Sequence, residues 1–189
     1  MTEDRDMLAL HTRLVAAAER DGVLDVAYRT VDGPVGALLL AATDLGLVRV
    51  AFAVEDHDAV LQGLADRVSP RILHAPRRLD AVAAQLDEYF AGARTTFDVP
   101  LDWRLSGGFR GTVLHHLPEI AYGHTASYAA VAQLAGNPKA VRAVGSACAT
   151  NPLPVVVPCH RVVRSDGAMG GYLGGVEAKR TLLALEAAA

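Results

Sequence analysis

The spacing of apolar and polar positions divides this chain into short elements. Residues 7–19 place Met7, Leu10, Leu14, Val15 and Ala18 on a helical period that Asp21-Gly22 closes, so a helix is expected there. Three strand-like runs follow, at 24–30, 35–42 and 46–53. Asp32-Gly33-Pro34 and Asp44-Leu45-Gly46 separate them, which predicts an antiparallel meander. Asp56 or Asp58 caps a helix carrying Val60, Leu61, Leu64 and Val68. Another helix, over 79–91, carries Leu79, Val82, Ala83, Leu86, Tyr89 and Phe90, and Gly92 stops it. Thr95–Leu101 reads as a strand leading into the joint Ser106-Gly107-Gly108.

Beyond that joint the pattern turns mostly helical. Phe109 to Leu117 is one helix, and Tyr122-Gly123-His124 is a turn. Ser127 caps a helix from Tyr128 to Ala135, which Gly136 ends. Asn137 suits an N-cap and Pro138 the first position of a helix reaching about Ala149. Two short helices joined by Gly136-Asn137 form a helix-turn-helix. Asn151-Pro152 then leads into Val155-Val156-Val157 and a loop bearing Cys159. Gly170 to Gly175 reads as flexible, and a last helix runs from about Val176 to Ala187. The outcome is an α/β (α+β) chain in two parts: an N-terminal sheet domain at 1–104, with an extra leading helix, and a mostly helical domain at 105–189.

Composition narrows the class. At 51 % hydrophobic and 21 % charged over 189 residues, the chain is an ordinary globular protein with a real core. No apolar run approaches the ~18 residues of a membrane helix. The acidic start, Met1 to Asp6, lacks a signal peptide's basic and apolar regions, which places the protein in the cytoplasm, away from membranes. In that compartment the two cysteines, Cys148 and Cys159, are expected as thiols. Neither lies in a Cys-x-x-Cys pair or at metal-ligand spacing from a histidine, so no metal site is expected. Charge is unevenly divided. Residues 1–103 hold 10 Lys and Arg against 17 Asp and Glu, whereas 104–189 hold 8 against 4. A basic C-terminal half suits a polyanion.

The candidate chemistry lies in that half. In the second helix of the pair, Val141, Val144 and Cys148 share an apolar, inward face. Arg142, Ser146 and Ala149 share another, with Gly145 at its edge. An arginine among very small residues can approach a nucleic-acid surface closely. Cysteine attacks only as thiolate, and at neutral pH an unassisted thiol is a few per cent ionised. His160 beside Cys159 can change that. Glu186 falls on the apolar side of the last helix with Leu182 and Leu183, so it needs a partner, and His160 is a suitable one. A Cys159–His160–Glu186 chain would also serve a cysteine hydrolase, and the helix-turn-helix alone would serve a transcription factor.

Several segments together resemble the O6-alkylguanine-DNA alkyltransferases. They are Ser127-Tyr128, the run from Ala135 to Gly145, Asn151-Pro152, Pro158-Cys159-His160-Arg161-Val162-Val163 and Gly171-Tyr172, in that family's order and spacing. The likeness is close over about 105–187 and looser over 24–53; residues 1–22 fall outside it. It implies an RNase H-like N-terminal domain and a DNA-binding, alkyl-accepting C-terminal domain. The activity implied is single-turnover transfer of the alkyl group from O6-alkylguanine, less readily O4-alkylthymine, in double-stranded DNA onto the protein's own cysteine. No cofactor is implied, and the protein would act as a cytoplasmic monomer that joins the nucleoid when bound to DNA.

By the same likeness, Cys159 is the acceptor, His160 the base acting through a bridging water, and Glu186 the acid behind it. Tyr128 helps turn out the nucleotide and supplies a proton or hydrogen bond to the leaving guanine. Arg142 fills the gap left in the base stack, with Gly145 and Ser146 beside it at the DNA. Asn151 ties the helix-turn-helix to the cysteine loop. Val162, Tyr172 and Leu173 surround the guanine pocket. The family usually has tryptophan near Leu114 and proline near Ala121, and some of its members have a small or polar residue at Leu173.

Overall fold

A computed structural model describes residues 2–188. Its elements in chain order are α1 (Thr2–Arg20), β1 (Val26–Val31), β2 (Leu38–Thr43), β3 (Gly46–Phe52), α2 (His57–Arg67), β4 (Ile72–His74), α3 (Asp80–Phe90), α4 (Gly108–His116), β5 (Ala126–Ser127), α5 (Tyr128–Leu134), α6 (Val141–Ala149), β6 (Val162–Val163) and α7 (Gly175–Ala187). The meander forms as expected: β1–β2 and β2–β3 are antiparallel, with Thr30 opposite Leu39 and Leu40 opposite Val50. Short β4, which the apolar pattern does not reveal, adds to β1 in parallel, so the sheet order is β3-β2-β1-β4.

Every residue of β2 is buried, because the sheet is covered on both faces. Val26, Ala41 and Val48 meet Leu64 of α2 in a small core. Leu38, Leu40, Ala42, Val50 and Phe52 face a larger one that continues through Leu86 and Tyr89 of α3 to Val113, Val131, Val144 and Leu182. One apolar core therefore joins the sheet to the helical half, and residues from both halves can reach a common site. The Asp56 side chain caps α2, accepting the N–H groups of Asp58 and Ala59. No helix among the described residues is long and apolar enough to cross a membrane.

Three expectations need correction. Thr95–Leu101 is no strand: only Leu47 and Leu101 form a bridge. Pro100 has no N–H for a ladder. Side chains hold the segment instead, with Gln85 bonded to both N–H and C=O of Asp98, and Arg94 donating to the Thr96 carbonyl. Asn137 does not cap α6. Its N–H closes α5 by reaching the Ala132 carbonyl at 2.9 Å, while that of Gly136 (φ 74°) reaches Gln133 at 3.0 Å. That is a Schellman ending, and α6 starts only at Val141. Val141, now the first helical residue, is exposed rather than packed beside Val144 and Cys148.

Candidate active site and DNA-facing surface

The cysteine loop is built on Asn151. As the chain leaves α6, the Asn151 side chain accepts the Leu153 N–H at 3.0 Å and donates to the Val157 carbonyl at 2.9 Å and to Cys159 Sγ at 3.1 Å. Asn151 is fully buried, so losing these bonds would strand polar groups at a cost of about 1–3 kcal/mol. Val155 sits in the loop with φ 73°, a strained conformation for a β-branched residue, of order 1–3 kcal/mol. Its buried side chain packs in the larger core, which offsets that strain. Cys159 to Arg161 then form one 3-10 turn leading into β6. β6 pairs in parallel with β5, Ser127 opposite Val163, so the residue before Tyr128 is fixed against the end of the cysteine loop. Apolar spacing gave no sign of this two-residue ladder.

Burial pushes the Cys159 thiol up to about 11, although the Asn151 hydrogen bond and the charge of Lys179 oppose it. The resting group is therefore protonated at neutral pH, not the partly ionised thiol that His-assisted activation suggests. Proton removal has to accompany the reaction.

His160 and Glu186 meet as the apolar spacing of α7 implied. Both are buried, and His160 Nε2 lies 2.8 Å from Glu186 Oε1. A carboxylate only accepts hydrogen bonds, so neutral His160 carries its proton on Nε2 and leaves Nδ1 as the basic atom. Nδ1 is buried and has no protein partner. Burial holds the imidazole below the usual histidine range, against the pull of Glu186 in the other direction. Glu186 is anchored from several sides. Arg161 Nε donates to Oε2 at 2.9 Å and Nη2 to Oε1 at 2.9 Å, the Tyr89 hydroxyl to Oε1 at 2.6 Å, and the Gly123 N–H to Oε2 at 3.2 Å. Burial alone would raise this carboxyl; the bonds from His160 and Arg161 outweigh it and hold the group at about 2.

A cleft of about 390 Å³ opens beside this network, lined by Tyr128, Gly145, Cys148, Ala149, Gly171, Tyr172 and Leu173. That volume suits one flat heterocycle. Tyr128, Tyr172, Leu173 and Gly145 thus converge. Val162 does not join them on the wall. It is buried behind, paired with Ala126, and its carbonyl accepts from Lys179 Nζ at 2.6 Å. Cys159, 2 % exposed, also lies off the wall but close by: burial raises the Tyr128 and Cys148 hydroxyl and thiol pKa values, and a charge on Cys159 would raise both further. Cys148, expected as a packing residue, is buried and borders the cleft as well. The loop over the cleft depends on two close approaches. A Cβ at Gly170 (φ +64°) would lie 3.1 Å from the Tyr128 hydroxyl, and one at Gly174 2.7 Å from the Phe52 ring.

The outer face of α6 contrasts with this density. Arg142, Ser146 and Ala149 are exposed and share it, with half-buried Gly145 at the rim of the cleft. The charge division is smaller at the surface than in the sequence, because Arg161 and Lys179 are buried and cannot meet a phosphate. Arg104, Arg164 and Arg180 are paired with Asp102, Asp166 and Glu177. Arg110, Lys139 and Arg142 are exposed and have no ion pair among the described residues. The described residues contain no cluster of His, Cys, Asp or Glu that could hold a metal ion, and both cysteines are free thiols.

Tyr89, Arg161 and Lys179 were missed as parts of the site. Tyr89 reads as one more apolar position of α3, and its hydroxyl was the only hint that a buried partner was needed. Arg161 and Lys179 entered the sequence reading only through the basic balance of the C-terminal half, although Arg161 directly follows the Cys-His pair.

Known proteins resemble this chain in sequence and fold. A family profile described as "6-O-methylguanine DNA methyltransferase, ribonuclease-like domain" matches residues 26–103, and one described as its "DNA binding domain" matches 108–188. A methylated-DNA–protein-cysteine methyltransferase of Mycolicibacterium paratuberculosis is 42 % identical over 161 residues, covering 85 % of this chain and 92 % of that protein. A constitutive one of Bacillus subtilis is 38 % identical, covering 84 % of this chain and 94 % of that protein. The crystal structure of the Mycobacterium tuberculosis O6-methylguanine methyltransferase superposes with a TM-score of 0.75 at 38 % identity, over 86 % of this chain and 93 % of that one. The same organism's OGT in complex with DNA superposes with a TM-score of 0.75 at 39 % identity, with the same coverage of both chains.

Proposed function

The chain belongs to the 6-O-methylguanine DNA methyltransferase family, whose two domains match most of its length, and on that premise we propose that it repairs DNA by moving the alkyl group of O6-alkylguanine onto Cys159. The observation that carries the assignment is the meeting of Asn151, Cys159, His160 and Glu186 beside a cleft of base size.

Displacement at a saturated carbon calls for a soft nucleophile in line with the leaving oxygen. The target carbon is buried in duplex DNA, so the nucleotide must first be extruded, at a cost of a few kcal/mol. Arg142, on the outer face of α6, takes the vacated place in the stack and offsets part of that cost. Its small neighbours Gly145, Ser146 and Ala149 let the helix lie close in a narrow groove where sequence is read poorly, which suits a lesion that arises anywhere. The base enters the cleft between Tyr128, Tyr172 and Leu173.

Because burial keeps Cys159 protonated, attack and deprotonation are coupled. The thiol proton passes through a bridging water to His160 Nδ1 while the sulfur lone pair forms the S–C bond. The C–O6 bond breaks, and its electron pair goes to guanine. Tyr128 supplies a proton or hydrogen bond to the departing base, lowering the barrier. Glu186 stabilises the imidazolium that forms. The thioether does not revert, so each molecule acts once. Asn151 holds the sulfur, and Val162 supports the loop from behind. The protein acts as a cytoplasmic monomer that joins the nucleoid through DNA.

Single-turnover transfer from duplexes bearing O6-methylguanine, with Cys159→Ala as the control, tests the proposal. Wild type should remove the methyl group once per molecule and the variant not at all. Transfer by the variant would refute the acceptor assignment. Repeated turnover of an activated ester at Cys159 would favour a hydrolase.

A further inference from the structure

Among the described residues, Glu186 accepts hydrogen bonds from four residues, and the one that comes from the N-terminal half is Tyr89, through its hydroxyl. Tyr89 stands near the end of α3, a helix of the sheet domain, and is fully buried. Its ring packs edge-on against Phe90 and Tyr122, with centroids 5.5 and 6.0 Å away, and lies tilted against Phe97 at 5.2 Å. Held in this way, the hydroxyl cannot swing. It reaches Glu186 Oε1 at 2.6 Å, the same oxygen that faces His160, and stands 3.5 Å from His160 Nε2.

Packing alone does not explain this placement. Phenylalanine would make the same ring contacts, whereas the hydroxyl ends on the carboxylate oxygen that orients the base. Burial, followed by the bond to Glu186 and its charge, pushes the Tyr89 phenol far above its usual range, so it remains a donor throughout. A donor on Oε1 withdraws charge from the oxygen that faces His160 Nε2–H. The carboxylate then stabilises an imidazolium less strongly, and His160 stays neutral and able to accept a proton.

We propose that Tyr89 is a positioning residue for alkyl transfer: its hydroxyl fixes the Glu186 carboxylate against His160 and sets the basicity of the imidazole. The sheet domain is then a working part of the reactive centre. This inference rests on the proton relay described above.

The test is the single-turnover rate of methyl transfer as a function of pH for wild type, Tyr89→Phe and Glu186→Gln, with urea unfolding of each. Tyr89→Phe keeps the ring contacts. It should slow transfer several-fold near neutral pH and move the acid limb of the profile to higher pH, because Glu186 relieved of the hydroxyl makes His160 more basic. A reduced urea midpoint with an unchanged pH profile would make Tyr89 a packing residue and overturn the proposal. If Glu186→Gln itself left rate and profile unchanged, the relay reading would fail first; a slowed Glu186→Gln beside an unaltered Tyr89→Phe would remove Tyr89 alone. Incorporation of a ring-fluorinated tyrosine at position 89 covers the case in which Tyr89→Phe does not fold. Its more acidic hydroxyl should shift the limb the other way, to lower pH, and an unshifted limb would contradict the proposal.

Discussion

The cysteine loop with α7 and the outer face of α6 belong to the same half of the molecule and are built on opposite plans. Cys159, His160, Glu186 and the Asn151, Tyr89 and Arg161 side chains bonded to them are all buried, and the Glu186 carboxylate by itself accepts from Tyr89, His160, Arg161 and Gly123. On α6, Arg142 and Ser146 stand in solvent beside small residues and carry no ion pair among the described residues. The first region is finished before any substrate arrives, since a proton relay works only when each donor and acceptor is already aimed. The second is left open, because its partner has to supply the contacts. Chemistry is thus stored in internal hydrogen bonds and recognition in their absence.

The largest effect expected from breaking this contrast is at the thiols. Cys159→Ala should abolish transfer and leave duplex binding within about twofold, since the sulfur lies inside and contacts no phosphate. Cys148→Ala should still transfer. Cys148 borders the cleft, however, so its rate on bulky alkyl groups should change more than its rate on methyl, which a rate comparison across O6-alkyl substrates would show.

Next comes the relay. Glu186→Gln should slow transfer on the order of 10²-fold, the scale of one acid–base group, and move the acid limb of the rate–pH curve to lower pH, because His160 without the carboxylate is less basic. It should also cost stability, up to the ~3–5 kcal/mol of a broken buried pair, because Arg161 loses its charge partner. The sign of the pH effect on folding follows from two lowered pKa values. Glu186 falls to about 2 from an unfolded value near 4.3, and burial lowers His160 from near 6.5. Both contributions are complete above the unfolded values. That of His160 fades as pH drops below about 6.5, and that of Glu186 fades from about 4.3 toward 2. Urea midpoints should decline from pH 8 to about pH 3, and the part of the decline that Glu186 adds below about 4.3 should be missing in Glu186→Gln.

Much of this plan was legible before any coordinates, and the omissions have physical reasons. A carboxylate on the apolar side of α7 and a histidine beside a cysteine could be paired by asking where a buried charge finds its partner. The meander followed from its turns. Short β4 and the β5–β6 ladder did not, because two or three residues carry no period. Asn137 and Pro138 spelled a helix start, yet the N–H of Asn137 was already committed to closing α5. Tyr89 stayed hidden because an aromatic in an amphipathic helix looks the same whether or not its hydroxyl has work to do. The charge balance counted Arg161 and Lys179 with the other basic residues, since a formal charge does not say whether its neighbours bury it.

Smaller effects belong to the open face. Arg142→Ala should reduce repair of duplex DNA roughly tenfold while changing the reaction with free O6-benzylguanine little, because a free base needs no extrusion. Equal losses on both substrates would remove the wedge role. Smallest of all, Lys139→Ala should lower affinity for undamaged duplex slightly and reduce the salt slope of binding by about one unit. No change in slope would mean that Lys139 stays clear of the phosphates.

The central claim is that the loop tied by Asn151 delivers Cys159, and not Cys148, to the alkyl group of a flipped guanine. Mass spectrometry of the protein after incubation with a duplex containing O6-methylguanine, followed by proteolysis, tests it most directly. The account predicts a gain of one methyl group per molecule, located on the peptide carrying Cys159. An unmodified protein, or a methyl group on the Cys148 peptide, would contradict it.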